Sequence, residues 1–343
     1  MRATLERISP GTPLRDGLER IQRGRGGGLI VLGDGPEVTE LCDGGICFDV
    51  PFSPSILREL AKMDGAVILS ADGKRITRAN VQLVPSPQYA TVETGTRHRA
   101  AERTALQTGV PVVSVSASMN TLTLYAHGRR HRLEEPAVLM TRANQTLSTV
   151  ERYRQRLDIA NQRLFVAEMN DYATVADMLG VLQRQMMLER AAKDLDMTIV
   201  ELGADARQLT LQLAELEGSN ATDIEMLVRD YIAAHGAPSD AQVEAGLASL
   251  EALPDADLLS TAALARQLGL PATEENLMQE LTPRGYRALS RVPRVQKFLM
   301  DHIVGAFGKL PAILAASPEE LAEAEHVSPL WARHIAEGLR RIS

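Results

Sequence analysis

Aromatic side chains are scarce: one Trp, six Tyr and five Phe make up 3% of the 343 residues. A surface of stacked rings, as in many single-strand binders, is therefore disfavoured. Cysteine is limited to Cys42 and Cys47. That excludes a disulfide framework, and no histidine-rich partner completes a zinc set with them. The cell interior is the compartment such usage fits. No stretch approaches the roughly 18 apolar residues of a membrane helix. Residues 1–16, with Pro10 and Pro13, contain no apolar core of a leader peptide. A cytoplasmic protein with no membrane partner is expected. Positive charge is in the minority, the net charge being −7, which excludes a nucleic-acid-binding coat and leaves room for a local basic patch.

What is present, 45% hydrophobic and 24% charged residues, is ordinary for a globular chain. The length exceeds what one core supports, so two or three domains are expected. Leu14, Leu18 and Ile21 recur at helical spacing, and Gly24, Gly26, Gly27 and Gly28 stop that helix before the apolar run 29–32. The glycine cluster reads as a structural turn, since it precedes a strand and lacks the Gly-Lys-Ser/Thr ending of a phosphate loop. Residues 38–41 and 46–50 are expected as short strands joined by Asp43-Gly44-Gly45. Ser53-Pro54 should cap and open a helix reaching Lys62. Strands are expected at Ala66–Leu69 and Arg75–Leu83, then a helix between Gly95 and Gly109, with strands Val112–Ser116 and Thr121–Ala126 closing the domain. Residues 1–138 thus read as one α/β domain on a mixed sheet.

Beyond residue 143, Val150, Tyr153, Leu157, Ala160, Leu164 and Ala167 step by threes and fours, an amphipathic helix of heptad type. Asp171 or Thr174 can cap a second helix carrying Val175, Met178, Leu179, Leu182 and Met186. Residues 139–281 therefore read as an all-α assembly domain, with methionines as gap-filling core. Its acidic end, 237–281, is expected as solvated helices. Arg284, Arg287, Arg291, Arg294 and Lys297 then reverse the charge, so 282–343 should form a separate basic domain.

Chemistry concentrates in residues 64–103. Asp64-Gly65-Ala66 precedes an apolar run, and Gly95-Thr96-Arg97-His98-Arg99 stands where a loop becomes a helix. A lone carboxylate suits Mg²⁺ or Mn²⁺, which keeps most of its waters and bridges to phosphate. Guanidinium forks match phosphate, and His98 can add a third donor. The helix start adds about half a positive charge, with Thr96 expected at the cap. Together they read as a nucleotide site. Asp64 would hold the metal and help activate a hydroxyl, while Arg97, His98 and Arg99 stabilise charge on a polyphosphate. Consecutive helix residues diverge, so convergence of all three requires something lying across the helix end.

Asp-Gly-Ala followed by Gly-Thr-Arg-His-Arg resembles the diadenylate cyclase domain family. The stretch CDGG…FDVPFSP…ELAKMDGAVILS is similar to the version found in DNA integrity scanning proteins, a match extending through most of the chain. The resemblance implies synthesis of cyclic di-AMP and two pyrophosphates from two ATP, at sites facing across a two-fold axis in an octamer. It places Gly65 and Ala66 at the nucleotide, Leu83 beside adenine, and Thr96 and Ser116 near the phosphates. Spacing alone leaves Ser114 and Ser118 equally open. Ala100 stands where the family often has Thr, one hydroxyl contact fewer.

The tail resembles a paired helix-hairpin-helix module, whose backbone N–H groups meet DNA phosphates without reading sequence. The first hairpin is Val292-Pro293-Arg294-Val295 with Lys297 beyond; the second contains His326-Val327-Ser328. Both depart from the usual glycines, and glycine is what admits φ > 0. The resemblance implies weak DNA binding led by the first hairpin, favouring branched DNA that several copies reach together. The alternative is a DNA-binding scaffold with a regulatory nucleotide site. Asp64 beside a full Arg-His-Arg set argues against it.

Overall fold

The computed structural model describes residues 1–218, 220–233, 236–270 and 273–342. They fall into two compact units, Met1–Gln145 with Asp194–Gln212, and Thr146–Lys193 with Leu213–Ser343. The first contains helices α1 (Arg2–Ile8), α2 (Pro13–Arg23), α3 (Pro36–Thr39), α4 (Pro54–Leu60) and α5 (Thr96–Thr108). Its strands are β1 (Gly28–Val31), β2 (Cys42–Asp43), β3 (Ile46–Pro51), β4 (Ala66–Leu69), β5 (Arg75–Leu83), β6 (Val112–Ser116), β7 (Thr121–Ala126) and β8 (Arg129–Leu133). They form one sheet in the order β2-β5-β4-β1-β6-β7-β8, with β3 also on β5. Only β1 and β4 run parallel, so the sheet is mixed, as expected. Ile30, Val67 and Leu69 pack on one face with Leu18, Ile21 and Leu57. Leu29, Val31, Ala66 and Ile68 pack on the other with Val38, Ala101 and Ala105. Burial on both faces is why β1 and β4 read as unbroken apolar runs.

Two expectations need correction here. Residues 38–41 are not a strand: Pro36 at the first helical position opens α3, and Val38 is its buried side chain. Strand β8 was not expected, because its sequence Arg-Arg-His-Arg-Leu shows almost no apolar signal. It pairs with β7 at the sheet edge, where charge discourages further strand pairing. The strands β2 and β3 exist but do not pair with each other. Both lie along β5, and Gly44 and Gly45 (φ 63° and 88°) step the chain between them. Ser53 caps α4 as expected, accepting from Ile56 N at 3.2 Å.

In the second unit lie residues 146–169 of α6 (Pro136–Met169) and 175–193 of α7 (Val175–Leu202). With them are α9 (Asn220–Tyr231), α10 (Asp240–Glu251), α11 (Thr261–Gln267), α12 (Glu274–Leu277) and α13 (Tyr286–Ser290), the short α8 (Arg207–Glu217) lying partly in each unit. The tail continues with α14 (Lys297–Phe307), α15 (Leu310–Ala315), α16 (Pro318–Leu321) and α17 (Pro329–Ile342). Among the described residues this unit has no strand beyond a single bridge between Thr174 and Glu280. Thr174 rather than Asp171 caps α7, accepting from Asp177 N at 3.3 Å while its own N–H donates to Asp177 at 3.1 Å.

Residues 282–342 do not stand apart. Tyr286, Leu289, Ile303, Leu321 and Ile335 share one core with Phe165 and Met226. The arginines that suggested a separate basic domain mostly face this packing. Arg284 donates to the carbonyls of Asp230, Ile232 and Gly236 at 2.8–3.0 Å. Arg287, buried, pairs with buried Glu168 at 3.0 Å, and Arg291 lies 3.6 Å over the Phe165 ring. The acidic segment is not merely solvated either, since Asp240 accepts from Arg229 at 2.7 Å and Lys297 at 2.6 Å. Asp230 opens α13 by accepting from the N–H groups of Gly285, Tyr286 and Arg287. Burial, with Glu168 near, pushes its carboxyl up to about 7, against the main-chain donors of Arg287 and Tyr286 and the Arg287 charge.

Glu168 accepts from both Arg287 and the Tyr231 hydroxyl (2.6 Å). Glu168→Ala leaves a buried guanidinium unpaired, so urea unfolding of the full chain should show a loss of about 3–5 kcal/mol. Glu168→Gln, which keeps an acceptor, should lose less. Equal losses for the two would refute this account of the pair.

Candidate functional site

At one rim of the sheet β1 and β4 begin, β5 and β6 end, and α5 starts. A cleft of about 810 Å³ opens there. Asp64 and Gly65 line it from the start of β4, Asn80 to Leu83 from β5, Ser116 from the end of β6, and Thr96, Arg97, His98 and Ala100 from α5. Gly65 fixes the first of these. Its φ is +90°, and a Cβ there would lie 2.5 Å from the Val81 carbonyl oxygen. Only glycine lets the chain enter β4 so close to β5, and that approach puts Asp64 in the cleft. Exposed Asp64 makes no ion pair with another described residue.

Helix α5 is capped by Gly95, not Thr96, which is the first helical residue. Gly95 has no side chain to cap with, and the first intrahelical bond is Arg99 N to Gly95 O at 2.9 Å. The N–H groups of Thr96, Arg97 and His98 are therefore left to an external acceptor. Arg97 is seated by the glycine cluster: a Cβ at Gly27 would fall 2.3 Å from its Nη1. The cluster is a turn, as expected, with Gly24 closing α2 by donating to Arg20 O at 3.1 Å. It is also one wall of the arginine's position.

His98 departs from the reading as a third phosphate donor. It is buried, with Nδ1 2.9 Å from the Tyr125 hydroxyl. Tyr125 in turn donates to Glu93 at 2.8 Å, and Arg130 pairs with Glu93 at 3.1 Å. With its proton committed to Glu93, Tyr125 accepts from Nδ1–H, which leaves Nε2 of His98 an acceptor. That atom is buried without a protein partner in a side chain lining the cleft. Burial lowers the His98 pKa, opposed by Glu93 and reinforced by Arg130 and Arg97, so the ring is a neutral imidazole. The loop that carries Glu93 is tied to α5: Ser86 N donates to Gln107 at 2.8 Å, Arg103 donates to Tyr89 O at 2.9 Å, and Thr91 bonds Glu102.

Of the expected residues the cleft gathers Asp64, Gly65, Leu83, Thr96, Arg97, His98 and Ser116. It does not gather Arg99, which is exposed outside the lining, or Ala66, which is buried in β4. Among the candidate serines, Ser116 and Ser118 line it, while Ser114 is buried in the sheet. Asp43, Asn80, Gln82 and the Glu93–Tyr125 pair were missed. A lone phenol among the threonines and leucines of β7 is the one sequence hint of the last.

Among the described residues no three His, Cys, Asp or Glu come together as a metal site. The carboxylates lining the cleft, Asp64 and Asp43, are oxygen donors of the kind Mg²⁺ or Mn²⁺ takes together with waters and phosphate oxygens, and do not make the nitrogen and sulfur set of a structural zinc site. In the tail, Pro293 and Arg294 are exposed, whereas Val292 and Val295 are buried, and Lys297 is taken by Asp240. Arg294 (φ 67°) and His326 (φ 61°) both hold the left-handed conformation that the missing glycines would have supplied. The backbone at both positions thus takes the φ > 0 for which glycine is usual.

Residues 15–130 match the DAC family model, described as the DisA bacterial checkpoint controller nucleotide-binding region. Residues 133–277 match the model of the DisA bacterial checkpoint controller linker region. The chain is 56% identical over 343 residues to the DNA integrity scanning protein DisA of Corynebacterium efficiens, covering all of this chain and 96% of that one. It is 55% identical to that of Corynebacterium glutamicum strain ATCC 13032, covering 100% and 94%, and 48% identical to that of Frankia alni, covering 100% and 95%. No helix among the described residues is long and apolar enough to cross a membrane.

The Tyr125 relay predicts an Nδ1–H tautomer for His98 that stays neutral as pH falls past 6.5, the ordinary histidine value. Long-range ¹⁵N correlation spectra read this directly. Tyr125→Phe should mix the tautomers, and an Nε2–H tautomer in the native chain would refute the relay.

Proposed function

The chain belongs to the DisA family, and with its diadenylate cyclase domain as premise we propose that it condenses two ATP into cyclic di-AMP and two pyrophosphates. The nucleotidyltransferase chemistry needs two clefts from two copies, because one cleft takes one nucleotide and the product has two new bonds. The observation that carries the reading is the meeting of Asp64, Arg97 and the uncapped start of α5 in one cleft.

Thr96, Arg97 and the free N–H groups hold the polyphosphate, Ser116 adds a hydroxyl, and Leu29 and Leu83 give the base an apolar wall. Each 3′-hydroxyl oxygen bonds the α-phosphorus of the facing nucleotide as the bond to the β-phosphate bridge breaks, and pyrophosphate leaves. The hydroxyl proton has two acceptors at hand, the Asp64 carboxylate and the Nε2 lone pair of His98. Arg97 and the helix start stabilise charge moving onto the leaving group. Mg²⁺ or Mn²⁺ held by Asp64 would neutralise phosphate charge and favour loss of the hydroxyl proton. Arg99, exposed outside its own cleft, would act on the nucleotide of a facing copy.

The remaining parts of the proposal follow the domain order. Residues 1–138 are the cyclase, 139–281 the helical element that assembles copies into an octamer, and 282–343 a helix-hairpin-helix DNA-binding region. The two left-handed hairpins support the last. Several tails in one cytoplasmic assembly would favour branched DNA by effective concentration, and DNA bound there would alter the facing of the cyclase sites.

Incubation with ATP and Mn²⁺, with products resolved by mass, should give cyclic di-AMP. Asp64→Asn should abolish turnover while ATP binding stays within about tenfold. A native protein that binds ATP and forms no 3′–5′ linked product would leave only a regulatory nucleotide site.

A further inference from the structure

The tail is a repeat of 32 positions whose two halves reach across to each other. Leu289 and Leu321, and Ile303 and Ile335, occupy equivalent positions and are all fully buried. Arg294 and His326, also equivalent, take the same left-handed backbone. His334 of α17 lies with Nε2 2.8 Å from the Pro293 carbonyl of the first hairpin. Its equivalent in α14, His302, lies edge-on to His326 of the second hairpin at 4.8 Å. Each helix thus touches the hairpin of the other half.

One turn before each of these histidines stands a large exposed apolar side chain, Phe298 (55% exposed) and Leu330 (79%). Single exposed apolar residues are ordinary. Here the same position stays apolar and exposed in both halves, one turn before a histidine that touches a hairpin, and the Phe298 ring is 5.4 Å from that of His326. Charge near them is of both signs: Asp301 stands three residues after Phe298 where Arg333 stands after Leu330, but Asp301 already accepts from the Tyr286 hydroxyl at 2.9 Å. Arg294 and Arg333 are exposed and in no ion pair among the described residues, and Arg333 shares a helix face with Leu330. The one acid in the hairpins' loops beside them, Glu325, pairs with His326 at 3.4 Å.

We propose that Phe298 and Leu330 are a pair of wedges that enter between bases of DNA held by the two hairpins, so that the tail selects DNA with unpaired or easily unstacked bases. This rests on the reading of the tail as a DNA binder. Contacts from hairpin N–H groups and arginines to phosphate position the duplex and carry no sequence information. An apolar side chain inserted between base steps must unstack them, which is least unfavourable where pairing is already interrupted. Selection then falls on defects in the helix rather than on a sequence.

The test uses the full chain and two DNAs of equal length carrying 2-aminopurine, one a continuous duplex and one interrupted by unpaired bases beside the probe. The native protein should prefer the interrupted duplex and brighten its probe. Phe298→Ala with Leu330→Ala should lose roughly tenfold of that preference and the brightening, while binding continuous duplex as before. Both side chains are exposed, so thermal unfolding of the double variant should match the native chain. Arg294→Glu with Arg333→Glu should weaken binding to both DNAs alike. A double alanine variant that still prefers and brightens the interrupted duplex overturns the wedge and leaves the DNA reading standing. Native protein that binds neither DNA overturns that reading and the wedge with it. A lower assembly mass in the double alanine variant, with DNA preference unchanged, would also overturn the wedge, assigning the pair to contact between copies.

Discussion

The first turn of α5 has no cap of its own, and the cleft is arranged around that lack. Gly95 supplies no side chain, so three N–H groups and the positive end of the helix meet the cleft unneutralised. A Ser or Asp cap would satisfy them from inside and occupy the place where a phosphate oxygen belongs. The neighbouring features keep this position open and charged. Gly27 leaves room for the Arg97 guanidinium, Gly65 brings Asp64 to the same rim, and the tied loop holds Glu93 under Tyr125. Burial of His98 adds an acceptor without adding another cation, which suits a site that must bind an anion and also receive a proton.

Much of this was legible in the sequence, where the signal was local. The apolar runs of β1 and β4, the Ser53-Pro54 start of α4 and the left-handed Gly109 ending α5 each depend on a few adjacent residues. Asp64 and Arg97 were legible because their residue types suit the chemistry wherever the chain places them. What failed depended on distant partners. His98 looks like a cation until Tyr125, 27 positions on, fixes its tautomer. Arg287 looks like part of a basic surface until Glu168, 119 positions back, buries it. Sequence carries the sign of a charge and not the partner that claims it. Strand β8 failed for another reason, since an edge strand protected by charge lacks the alternation by which strands are recognised.

The glycines missing from the tail are instructive in the same way. Their absence suggested a weaker grip by the second hairpin, yet Arg294 and His326 both adopt the left-handed conformation. Such residues reach the left-handed region at some strain, tolerated where packing determines the turn. Here the anchors are Val292, Val295 and Val327, all buried.

The hairpins nonetheless differ, for a reason other than glycine. Helix α14 starts at Gln296 without a side-chain cap, whereas Ser328 accepts from Trp331 N at 3.3 Å at the start of α17. Thr12, Ser53, Ser239 and Ser260 cap α2, α4, α10 and α11 in the same way. The N-cap residue gives no side-chain cap at α1, α3, α13 and α15 either, so the uncapped start of α5 matters because it faces the cleft. The first hairpin also presents exposed Arg294, whereas the second presents Glu325. If the tail grips phosphate, the first hairpin takes the larger part. The second, with Ser328 capping α17 from within, adds less and packs His326 against Phe298.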